Sequence, residues 1–62
     1  MKNRQFYLNE YQKTAGIFSM DSATEPMLQY AERQLAKCLA AANIADSDPD
    51  KAFKIYIGVE AA

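Results

Sequence analysis

Three sets of side chains in this sequence could do chemistry: the thiol of Cys38, the carboxylates of Asp46, Asp48 and Asp50, and seven cations interleaved with tyrosines. The chain contains no histidine, which removes the commonest general base near neutral pH and the commonest metal ligand. Its two glycines, Gly16 and Gly58, stand alone, so no phosphate-cradling loop or nucleophile elbow is present. A nucleophilic Cys38 would need an activating neighbour and partial exposure. Its position on the apolar stripe of a helix predicts a reduced, buried thiol instead. The three aspartates are spaced two apart, like the start of a calcium loop. The rest of that pattern fails, with Lys51 where the loop needs glycine and Ile57 where it needs a bidentate glutamate. That run therefore reads as a solvated turn. The sequence predicts no enzyme, no metal and no cofactor.

Recognition chemistry is better supported. Lys2, Arg4, Lys13, Arg33, Lys37, Lys51 and Lys54, with Tyr7, Tyr30 and Tyr56 among them, could stack on bases and neutralise phosphates as sheet-based RNA binders do. Against this, the net charge is −1, which removes the overall attraction to a polyanion, and no RNP-like motif occurs. Tyr30, Arg33, Lys37 and Ala41 form an outward band on a helix, and Tyr and Arg are types enriched at binding hot spots. Arg33 and Lys37 repel at i, i+4, which favours an acidic partner. The residues expected to meet a partner are Tyr30, Arg33, Lys37, Lys54, Tyr56 and Tyr7.

The element that must position them is Met27 to Ala42. Leu28, Ala31, Leu35, Cys38, Leu39 and Ala42 repeat there at i, i+3, i+4, i+7, the stripe of an amphipathic helix. Thr24 reads as its N-cap, with Glu25 and Pro26 in the first turn, and Asn43 as a left-handed C-cap. Ile44 to Asp50 has the composition of a turn. Arg4 to Tyr11 alternates Phe6 and Leu8 against polar neighbours and reads as a first strand. Gln12 to Gly16 would be a hairpin loop and Ile17 to Met20 a second strand. Lys51 to Glu60 alternates Phe53, Ile55, Ile57 and Val59 against Lys54, Tyr56, Gly58 and Glu60, and reads as a third. Ala61 and Ala62 leave little tail.

These elements give an α+β fold of order β-β-α-β, a three-stranded sheet with one amphipathic helix on one face. A helix of about 27 Å matches a strand of about 26 Å. The uncovered sheet face would present Tyr7, Tyr56 and Phe18 with Lys54 and Glu60. With 62 residues the chain is one domain, 1–62, near the size at which a single core is self-sufficient. A homodimer is therefore a candidate, through pairing of the third strand into a continuous six-stranded sheet. No secretory signal or membrane span is visible, the lone cysteine suits a cytoplasmic setting, and the initial Met with no tag reads as a naturally short protein. The function expected is a small non-enzymatic protein-binding factor, a regulator or inhibitor of a larger protein, of a kind that phages and mobile elements encode. A nucleic-acid-binding or transcription-regulating protein is the alternative.

Overall fold

The computed structural model describes residues 2–61, and every segment expected to be a strand is helical or turn. The chain runs through α1 (Arg4–Ala15), a 3-10 turn (Gly16–Ser19), α2 (Glu25–Ile44) and α3 (Pro49–Tyr56). There is no strand among the described residues. The fold is all-α, which corrects the α+β reading and, with it, the strand-pairing route to a homodimer. The tail expected at Ala62 lies outside the described residues.

Local chemistry accounts for each helix. Asn3 sits in extended geometry and its side-chain oxygen accepts from the Phe6 amide at 3.0 Å, satisfying one of the unpaired first-turn donors. Tyr7, Tyr11 and Thr14 then point inward at i, i+4, i+7, Tyr7 fully buried and the others half-buried. Gln5 and Asn9 bond each other at 2.9 Å on the outer side. Lys13 lies in the last turn, facing the negative end of the helix dipole. Past Gly16 the chain tightens into the 3-10 turn, closed by Met20 N–H on Ile17 C=O at 3.1 Å.

α2 starts where expected. Thr24 is the extended N-cap residue, though its side chain makes no capping bond, and Pro26 sits in the first turn. The Leu28 amide bonds Thr24 C=O at 2.9 Å. The helix runs through Asn43 to Ile44 and closes at Ala45 in right-handed geometry. Among the described residues no non-glycine has a positive φ, so the left-handed Asn43 cap does not form. Ala45–Ser47 is the turn, in which the amides of Ser47 and Asp48 both bond Ile44 C=O, at 3.2 and 2.7 Å. Asp48 then caps α3, its carboxylate accepting from the Lys51 amide at 3.1 Å. Pro49 takes the first helical position, where its missing N–H costs nothing. α3 stops at Gly58, whose φ of 85° is readily adopted by glycine. The Val59 and Glu60 amides fold back onto Lys54 C=O at 2.9 and 3.2 Å.

Both α1 and α3 pack on α2. The central cluster is Tyr7 with Ala41, Ala42, Ala45 and Ala52, bordered by Phe6, Leu8, Ile44 and Tyr56. Ala31, Cys38 and Ile55 are also buried. Of the expected apolar stripe, Ala31, Cys38 and Ala42 are buried and Leu28 and Leu35 half-buried, but Leu39 is exposed. Ala41, expected to face outward, is fully buried. At 100° per residue the buried face is rotated roughly 50° from the predicted stripe. Two helices flank α2 instead of one sheet covering it, and they draw Ala41 and Ala45 inward. The result is a flat, elongated body of 38 × 20 × 14 Å.

Candidate functional site

Of the groups singled out for chemistry, Cys38 is enclosed in the core and Asp48 is engaged as a helix cap. Cys38 is fully buried, and burial, with the nearby Glu10 charge, pushes its thiol above the ordinary value, the reverse of what a nucleophile needs. Asp48 is a helix cap and Asp50 lies in the first turn of α3. Asp46 lines an open depression with Asn3, Arg4, Gln5 and Leu8. Among the described residues no group of three or more cysteine and carboxylate side chains is placed to hold a metal ion, and no helix is long and apolar enough to cross a membrane.

A polar contact joins α1 to α3. The Tyr56 hydroxyl donates to Glu10 Oε1 at 2.9 Å, and Lys13 Nζ lies 3.0 Å from Glu10 Oε2. The hydrogen bonds from Lys13 and Tyr56 hold the Glu10 carboxyl below its ordinary pKa. Burial and the adjacent Glu10 push Tyr56 up to about 12. Around this contact the aromatic rings meet edge to face, Phe6 on Tyr7 at 5.2 Å and both on Tyr56 at 5.5 Å. Lys2 Nζ stands 4.6 Å from the centre of the Phe6 ring. The Tyr7 hydroxyl, buried among them, has no hydrogen-bond partner.

The six residues expected at a binding surface divide. Tyr7 is in the core and Tyr56 is half-buried and bonded to Glu10, so the expected open face of aromatics does not exist. Tyr30 and Arg33 are exposed on α2, Lys37 is half-buried on the same side, and Lys54 is exposed on α3. The end of α3 lies near two of these, Lys37 and Tyr30. Lys37 reaches over Gly58, where an added Cβ would stand 3.2 Å from its Nζ. Tyr30 is near enough to Tyr56 to contribute to its raised pKa. No family model, curated protein or solved structure matches the chain.

Large apolar side chains outside the expected set are exposed as well. Ile57 is 50% exposed and Val59 72%, both in the turn that ends α3, and Met27 is 37% exposed on α2. Phe18, Met20, Leu39 and Phe53 are exposed elsewhere. Ile57 and Val59 escaped the sequence reading because their alternation placed them on the inner face of a strand. The helix-start signal Asp48-Pro49-Asp50 was the available clue.

Proposed function

We propose that the protein is a small, non-enzymatic, cytoplasmic protein-binding factor, a regulator or inhibitor that acts by occupying a surface of a larger protein. The observation that supports this is the inverted use of side-chain size. Among the described residues, five of the eight buried apolar residues are alanine, while eight large apolar side chains are more than a third exposed. Burial of alanine contributes little, and exposed apolar groups of this size, where contiguous, mark contact sites. Tyr30, Arg33, Lys37 and Lys54, with Ile57 and Val59, form the docking surface in this reading. An aromatic and aliphatic centre with a cationic rim has the makeup of a binding hot spot.

The test is affinity capture with the whole chain as bait, nuclease-treated, beside a bait carrying Tyr30→Glu. One stoichiometric protein retained by the first bait and lost by the second is the expected result. Recovery that disappears with nuclease would replace this reading with a nucleic-acid one carried by Arg33, Lys37 and Lys54.

A further inference from the structure

Among the described residues, Tyr56 and Glu10 form the one side-chain hydrogen bond or ion pair that joins two helices; the others link residues no more than four apart. Apolar packing does the rest. α3 enters that packing with two buried residues, Ala52 and Ile55, and alanine removes little surface from water. The α1–α2 pair has contacts of its own, since α1 and the 3-10 turn both pack on α2 and Tyr7 clusters with Ala41 and Ala42. α3 is therefore the helix whose departure breaks least. At eight residues it is also too short to persist once undocked, because isolated helices below about 12–15 residues are marginal in water. Undocking and melting are one event.

The closed arrangement carries a cost that opening removes. Tyr7 shares its cluster with Ala52, its ring lies 5.5 Å from that of Tyr56, and its hydroxyl is buried with no hydrogen-bond partner. An unmet hydroxyl destabilises the state that buries it, and with α3 gone water reaches it. The connection suits such a movement, because Ala45–Ser47 is a turn in which Asp46 and Ser47 are exposed. α3 also has its own start and stop, the Asp48 cap and the Gly58 turn. We infer that α3 is a releasable clasp that leaves the α1–α2 pair as a unit, pivoting about Asp46 and Ser47, and uncovers the bed formed by Tyr7, Ala41 and Ala42. In the closed chain α3 holds that bed against any other occupant. Its release depends on contacts within one chain and not on whether the protein binds another.

Native-state hydrogen exchange of the whole chain, read amide by amide by NMR across a series of low denaturant concentrations, tests the clasp. The amides of Ala52 to Tyr56 should exchange together, faster than those of Ala31 to Ala42 and with a weaker dependence on denaturant. Tyr56→Phe, which removes the bond to Glu10, should speed the α3 amides about tenfold, and Tyr7→Phe should slow them. Ile17, half-buried in the 3-10 turn, belongs to the part that stays folded when α3 leaves. Ile17→Ala should therefore speed the α2 amides and leave the α3 amides unchanged. All three variants should keep the far-ultraviolet circular dichroism of the parent. One common rate and denaturant slope for the α2 and α3 amides overturns the inference, as does indifference of the α3 amides to Tyr56→Phe. Equal acceleration of both helices by Ile17→Ala overturns it too, since the chain then opens only as one body.

Discussion

Replacing Tyr7 by phenylalanine removes one oxygen that has no hydrogen-bond partner in the folded chain. A buried, unsatisfied hydroxyl costs about 1–3 kcal/mol, while the ring it rides on is the largest fully buried side chain among the described residues. Tyr7→Phe should therefore raise the melting temperature, by about 4–8 °C for each kcal/mol gained in a domain of this size. A fall would show that the hydroxyl is satisfied by water. Tyr7→Ala should unfold the chain, since truncating a buried aromatic costs about 3–5 kcal/mol. Tyr56 makes the opposite case, because its hydroxyl is bonded. The folded pKa of Tyr56 is raised to about 12, so the stability it contributes is present below about pH 10 and falls as pH rises towards 12. The Glu10 carboxyl is lowered, so its contribution is present above the ordinary carboxylate range and is lost as pH falls through the depressed value. Tyr56→Phe should flatten the alkaline loss in a stability-against-pH series and weaken the acid one. A series unchanged by that substitution would dismiss the α1–α3 contact as a stabilising link.

At the scale of elements, what the sequence disclosed depended on how long each pattern ran. α2 was legible because its periodicity persists over many turns, and Thr24 with Pro26 marked its start correctly. The face was misjudged because the helix there is nearly all apolar from Cys38 to Ala42, so small residues alone could not show which side the neighbours would take. α3 was misread because Phe53, Ile55, Ile57 and Val59 satisfy a two-residue repeat, whereas Ala52, Ile55 and Tyr56 satisfy a helical one in the same eight residues. Over so short a stretch capping decides, and Asp48 with Pro49 starts a helix. The same logic failed at α1, where Asn3 was the overlooked signal. Of the six residues expected at a binding surface, Tyr7 and Tyr56 are taken into the packing, since the sheet face to which their alternation assigns them does not form. Two substitutions measure the caps. Asp48→Ala should cost about 1 kcal/mol, seen as a lower denaturant midpoint. Gly58→Ala should cost about 1 kcal/mol as well, because alanine is strained at a φ of 85°, while the Lys37 side chain can move aside. A midpoint unchanged by Gly58→Ala would mean that α3 ends in a different geometry in solution.

For the whole molecule, five buried alanines stand where the helices meet, and small side chains let helices approach closely. Ala41→Leu, at a site with 0% exposure, should destabilise by about 1–3 kcal/mol through overpacking; a gain in stability would show a void beside Tyr7 instead. A helix trio with so little large side-chain mass between its members is also expected to separate readily. Cys38 gives that separation a clock. It is the only cysteine in the chain and is wholly enclosed, so a thiol reagent can reach it only when the helices part. Its modification rate under native conditions therefore counts opening events, and a ligand that holds the helices together would slow that count without touching the sulfur.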